Sequence, residues 1–238
     1  MKALHPLIVS GREVLPLIEG GKGIGVTNGV SSGAWAAAGA VGTFSGVNAD
    51  SYDSNGEPIP QIYHGRTRKE RHEELVDYAV EGSVTQAQIA HETSGGEGRL
   101  HINILWEMAA SERILRAVLD RTKGMIHGIT CGAGMPYRIA EIANQYQMHY
   151  YPIVSSGRAF RALWKRSYFK FSEWLGGVVY EDPWRAGGHN GLSNSEDPKL
   201  PEDPYPRVRD LRTLMNSFGL HKVPIIMAGG VWYLREWE

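Results

Sequence analysis

A short apolar run, a turn of small residues and an amphipathic segment recur along this 238-residue chain, and this alternation restricts its fold more than any other feature. Apolar runs lie at residues 14–19, 40–45, 100–105, 125–130, 150–155, 177–180 and 223–228. Most are nearly continuous rather than strictly alternating, as parallel strands covered on both faces are. Between them, Ser111 can cap a helix with Ile114, Leu115, Val118 and Leu119 on one face. Pro136 suits the first turn of a helix that turns Ile139, Ile142 and Ala143 inward. Val208, Leu211, Leu214, Met215 and Phe218 form a further stripe, ended by Gly219. The small residues at 31–38 fit a short helix packed closely on the sheet. Strands alternating with helices predict a parallel α/β fold, either a barrel or an open doubly wound sheet. Two stretches break the rhythm: an excursion at about 48–99, with helix expected around 67–92, and a loop rich in Pro, Asp and Glu at 194–206. Apolar strands resume after both, so residues 1–238 are expected to form a single domain.

Glycine then points to where a ligand would sit. Small-residue turns follow four of the strands: Gly20-Gly21-Lys22-Gly23, Gly132-Ala133-Gly134, Gly187-Gly188-His189 and Ala228-Gly229-Gly230. In parallel α/β folds the carboxyl ends of the strands form the ligand-binding face. Glycine there lets backbone N–H groups approach a flat or phosphorylated ligand. Any one such turn is explained by tight turning alone; four at strand ends favour a cofactor. A Rossmann site is excluded, since Gly21-Lys22-Gly23-Ile24-Gly25 is GxGxG rather than GxGxxG, and no acidic residue closes the second strand.

Other classes are disfavoured. A formal net charge of −1 argues against nucleic acid and against an anionic membrane surface. No apolar run approaches bilayer length and no secretory signal is visible. The single cysteine, Cys131, excludes an intrachain disulfide framework and fits a reducing cytoplasm. The histidines show no HxxxH or HxH spacing, so no metal is expected.

In order, these segments resemble the FMN-dependent nitronate monooxygenases (2-nitropropane dioxygenases) and the related flavin-dependent enoyl-acyl-carrier-protein reductases. The matching stretches are Pro16-Leu17-Ile18-Glu19-Gly20-Gly21-Lys22-Gly23, His101-Ile102-Asn103-Ile104, Tyr151-Pro152-Ile153-Val154-Ser155-Ser156, Arg185-Ala186-Gly187-Gly188-His189-Asn190-Gly191 and Pro224-Ile225-Ile226-Met227-Ala228-Gly229-Gly230. The AGGHxG signature followed by a PIIxAGG strand is the most specific of them. The resemblance implies a TIM-type (β/α)8 barrel and non-covalently bound FMN. It also implies oxidation of alkyl nitronates, or of the parent nitroalkanes, by O2 to a carbonyl compound and nitrite.

By the same resemblance, His189 lies beside the flavin as the catalytic base or substrate-positioning group. Gly20, Gly21, Lys22, Asn103, Gly132, Ser155, Gly187 and Gly188 line the cofactor, with Gly229 and Gly230 at its phosphate. Lys22 stands where the family usually has methionine, which would place a cation near the ring. The chain ends at Glu238 without a counterpart of the family's eighth strand. About seven of the barrel's eight strands are therefore expected, with unpaired edges that favour a homo-oligomer. Two other readings stay open: an NAD(P)H-dependent enoyl-thioester reductase, and a non-catalytic barrel fragment. Chemically, the imidazole of His189 titrates near neutral pH and can take a proton from a weak carbon acid. Cys131 has no adjacent base and reads as a buried structural thiol.

Overall fold

The structure, a computed structural model, describes residues 4–186 and 191–230. The chain divides into two compact units, one spanning 4–130 and the other running from Cys131 onward.

The first unit opens with an antiparallel hairpin, β1 (Leu7–Val9) and β2 (Arg12–Val14). Its turn residues Ser10 and Gly11 both have positive φ, 46° and 77°, the conformation that matches the twist of a two-residue hairpin. The hairpin buries Val9 and Val14. Then follow α1 (Gly29–Ala37), β3 (Val41–Ser45), α2 (Arg68–Thr93), β4 (Arg99–Leu105), α3 (Ser111–Arg121) and β5 (Gly128–Gly132). β3 and β4 run parallel, with Thr43 opposite His101 and Ser45 opposite Asn103.

The small residues of α1 let it sit close to its neighbours. A side chain on Gly33 would come 2.4 Å from Thr93 Cβ, and one on Gly42 would reach the Ser32 carbonyl at 1.8 Å. A Thr67–Glu70 capping box starts α2, which occupies the second half of the excursion.

Two local expectations change. Residues 14–19 do not form a continuous strand: Val14 ends the hairpin, and only Ile18 bridges in parallel to Val41. Pro16 has no N–H to extend the ladder, and the glycine loop turns the backbone away after Glu19. Ser111 is the first helical residue of α3 rather than its side-chain cap. Ala110 holds the cap position with φ 61°, and the Ser111 hydroxyl donates instead to the Trp106 carbonyl at 3.0 Å.

The second unit holds α4 (Ile139–Gln145), β6 (His149–Val154), α5 (Gly157–Arg166), a 3-10 helix (Tyr168–Trp174), β7 (Val178–Glu181), α6 (Pro204–Ser217) and β8 (Ile225–Ala228). Its strands are parallel and lie in chain order, β6 beside β7 and β7 beside β8. The Tyr150 and Tyr168 rings meet edge to face at 4.9 Å, and the buried Tyr168 hydroxyl donates to the Pro136 carbonyl at 3.0 Å. Ile139, Ile142 and Ala143 are buried on α4, as their spacing predicts. Pro136 precedes that helix, its carbonyl accepting from Ile139 N–H. Gly219 ends the α6 region with φ 81°. Among the described residues, no helix is long and apolar enough to cross a membrane.

Candidate functional site

Alternation along β3 and β4 puts Thr43, Ser45, His101 and Asn103 on one face, opposite Phe44, Ile102 and Ile104. The loop from Gly20 to Thr27 lies across the carboxyl ends of these two strands. Asn103, 6% exposed, donates through Nδ2 to the Gly21 carbonyl at 3.3 Å. A Cβ on Gly21 would stand 2.2 Å from Asn103 Cβ, so only glycine permits that approach. Gly23 packs similarly, its absent Cβ 3.2 Å from Ser45 Oγ. Thr27 ties the loop to itself and to β3: its hydroxyl accepts from Lys22 N–H at 2.8 Å, and its carbonyl accepts from Ser45 N–H at 3.1 Å.

Sequence inspection passed over the carboxylate that fixes the base of this loop. Glu19 is 6% exposed, and its Oε2 accepts from Thr43 N–H at 2.9 Å. Glu19 N–H still donates to the Val41 carbonyl, so the next rung of a parallel ladder would use the Glu19 carbonyl. The side chain supplies that acceptor where the backbone departs into Gly20 and Gly21. The one available signal was a charged residue ending an otherwise apolar run immediately before paired glycines.

Of the residues singled out in this unit, Gly20, Gly21, Lys22 and Asn103 thus share one small region. Gly20 has open space where a Cβ would be, and Lys22 is exposed. Asn103 Oδ1 is left to accept a bond from outside, since the described contacts use only Nδ2.

In the second unit, β8 leads into Gly229 and Gly230, with φ of 83° and 81°. Their absent side chains would strike the turn after β7, at 2.8 Å from Asp182 N and 2.6 Å from Arg185 Cδ. Asp182, buried and also not foreseen, organises that turn: its Oδ1 accepts from Trp184 N–H at 2.9 Å and its N–H donates to the Ala228 carbonyl at 3.0 Å. Gly132 ends β5 with its absent Cβ 3.0 Å from Ile153 Cβ. Ser155 is half-buried immediately after β6, beside Ser156, which caps α5 by accepting from Ala159 N–H at 3.3 Å. Gly187, Gly188 and His189 lie outside the described residues. Cys131 is fully buried, and that burial pushes its thiol up, away from the reactive thiolate.

No protein-family model matches the sequence, and no curated protein is detectably similar to it. Solved structures do match. FabK from Thermotoga maritima superposes with a TM-score of 0.61 at 15% identity, over 93% of this chain and 53% of that one. A nitroalkane oxidase from Streptomyces ansochromogenes gives 0.54 at 12% identity, over 91% and 59%. A mandelate oxidase variant carrying a monooxide FMN adduct gives 0.55 at 11% identity, over 98% and 64%. The chain therefore spans little more than half the length of the FabK structure it matches. At these identities the likeness shows the fold, a TIM-type barrel that is incomplete here, with β3 to β8 as its parallel strands.

Proposed function

We propose that this chain is an FMN-dependent oxidoreductase whose reaction is the oxidation of alkyl nitronates by O2 to a carbonyl compound and nitrite. The observation that carries the reading is the contact between Gly21 and Asn103. It presents a side-chain-free backbone turn and an amide with an uncommitted acceptor at the carboxyl ends of parallel strands. The fold shared with a nitroalkane oxidase and with an FMN-bearing mandelate oxidase supports it, as does the AGGHNG segment at 186–191.

The residues fit a flavin in a specific respect. Gly20 leaves open space beside the backbone for a planar ring, and Asn103, packed on Gly21, has an Oδ1 that can accept a bond from a ring N–H. In this reading Lys22 lies at the ring, Gly132, Ser155, Gly187 and Gly188 line the cofactor, and Gly229 and Gly230 hold the phosphate through backbone N–H groups. Bound FMN would supply the electron transfer between nitronate and oxygen. The protein's own contribution is to hold the ring, exclude water and move one proton. His189 takes the α-proton of a neutral nitroalkane, or orients the nitronate that arrives already ionised.

The purified chain mixed with FMN should acquire flavin absorbance at about 450 nm that survives desalting. It should then release nitrite from a nitronate, and His189→Ala should lose turnover on neutral nitroalkane far more than on preformed nitronate. A chain that takes up no FMN would overturn the reading. Flavin uptake with NADH consumption on an enoyl thioester, and no nitrite release, would assign enoyl reduction instead.

A further inference from the structure

Beyond the carboxyl end of β3, next to the glycine loop, lies a small recess of about 10 Å³, room for one water-sized group, lined by residues that include Gly25, Thr27, Asn28, Asp50, Tyr52 and Gln86. Most of its polar groups are already committed to the protein. Gln86, 2% exposed, accepts from Gly29 N–H and donates to the Asp50 carbonyl, both at 2.6 Å. Asn28 Oδ1 accepts from Ser31 N–H, Thr27 Oγ1 from Lys22 N–H, and Ser45 Oγ from Val47 N–H. The start of α1 therefore offers no open cradle for an anion, because Gln86 and Asn28 occupy its leading N–H groups.

Asp50 differs from these neighbours. Its backbone is clamped by α2, where Gly82 admits the Ala49 carbonyl to within 1.6 Å of an ideal Cβ and Gln86, one turn on, binds the Asp50 carbonyl. Its carboxylate projects toward Gly25, with Oδ2 3.7 Å from the position a Cβ would take there. Among the described residues that carboxylate has neither an ion pair nor a hydrogen bond. A half-buried carboxylate on a rigid backbone, facing a recess and without a partner among the described residues, is complementary to a cationic hydrogen-bond donor.

We infer that Asp50 is the specificity-determining residue of the substrate pocket and binds a terminal ammonium group on the substrate. The preferred substrate is then a short aliphatic nitro compound whose far end is a primary amine. Tyr52 lines the same recess. This inference rests on the nitronate-oxidising reading for the reacting end of the substrate, but not for the recess itself.

The test separates the two. 3-Nitropropylamine and 1-nitrobutane have the same chain length and differ in carrying an ammonium or a methyl end. The FMN-loaded protein should show a KM about tenfold lower for the amine than for 1-nitrobutane, and Asp50→Asn should bring the two KM values together. Independently of flavin, n-propylammonium chloride titrated into the flavin-free chain should perturb the NMR signals of the recess at millimolar concentration, and should not do so in Asp50→Asn. Equal KM values, or propylammonium binding unaltered by Asp50→Asn, would overturn the inference. Asp50-dependent propylammonium binding without nitrite release from either compound would uphold the recess and sink the nitronate reading.

Discussion

The two ends of β3 and β4 dispose of their polar groups in opposite ways. At the amino end, polar side chains are spent on the protein itself. Ser10, at the tip of the β1–β2 hairpin, shares a 2.8 Å hydrogen bond with Nε2 of the fully buried His101. Gly128 brings the β5 backbone against the same ring, which an added Cβ would meet at 2.4 Å. His127 Nδ1 accepts from Leu100 N–H at 3.3 Å. At the carboxyl end, Glu19 and Thr27 shape a loop, while Asn103 Oδ1 and the Asp50 carboxylate are left facing outward. The strands are the same, so the difference lies in what caps them: a compact hairpin at one end, a glycine loop at the other. The first end commits its polar groups to the fold, and in the proposed function the second leaves groups for a cofactor, the usual division of labour in barrels of this kind.

The sharpest way to break this contrast is at Gly21. Its substitution by alanine forces a Cβ to 2.2 Å from Asn103 Cβ and 2.8 Å from Asn103 Cγ. Gly21→Ala should cost about 3 kcal/mol in urea unfolding, at the upper end of overpacking penalties. Because the obstacle is a side chain rather than backbone, Asn103→Ala in the same molecule should restore at least about 1 kcal/mol. Gly20→Ala, with nothing within 4 Å, should be nearly silent. Equal costs at Gly20 and Gly21 would mean that the loop does not rest on β4.

Glu19 comes next. Glu19→Ala leaves the buried Thr43 N–H without an acceptor and should lower stability by about 2 kcal/mol. Glu19→Gln keeps a carbonyl oxygen in place and should lose less than half of that. If Gln is as damaging as Ala, the negative charge, rather than the missing acceptor, is what the loop requires.

These two positions also mark how far the sequence could be read. Periodicity located β3, β4, β6, β7 and β8 to within a few residues, because continuous apolar runs between helices leave little choice of element. It overextended the first strand, since Leu15, Leu17 and Ile18 are apolar enough for a strand, and nothing local announces that pairing shrinks to one bridge. Asn103 and the glycine pairs were legible as motif positions. Glu19, Asp50 and Asp182 were not, because a carboxylate's role depends on which N–H or cavity it meets after folding, and those partners lie in other strands, turns and helices. Ser111 misled for a related reason: a cap preference is weak, and the Trp106 carbonyl competes for the hydroxyl.

At the amino end, His127 gives the comparison a pH axis. Burial, reinforced by the nearby charges of Arg99 and His91, lowers its pKa from 6.5 to about 4. The folded state thus binds fewer protons than the unfolded one between these values, so stability is complete above pH 6.5 and declines as pH falls toward 4. The full shift would correspond to about 3 kcal/mol, and partial solvent screening reduces the expected loss to between about 1 and 2 kcal/mol. His127→Asn should flatten the stability profile across that window without altering FMN affinity at pH 7.5. A profile that stays as steep would move the acid sensitivity elsewhere.

The smallest effect on stability, and the most specific one on chemistry, is expected at Lys22. The side chain is exposed, so Lys22→Met should change unfolding free energy by no more than about 0.5 kcal/mol. If the loop does bear on the flavin ring, the ammonium favours the negative charge that accumulates when the ring is reduced. Lys22→Met should then lower the flavin midpoint potential by roughly 20–40 mV, a shift that shrinks as salt is raised because an exposed charge is screened. The effect separates the two ends cleanly: Ser10→Ala, at the hairpin tip, should lower stability and leave the potential where it was. A potential indifferent to Lys22 would place the ring away from the Gly20–Gly23 turn, and with it would go the assignment of that turn to the cofactor.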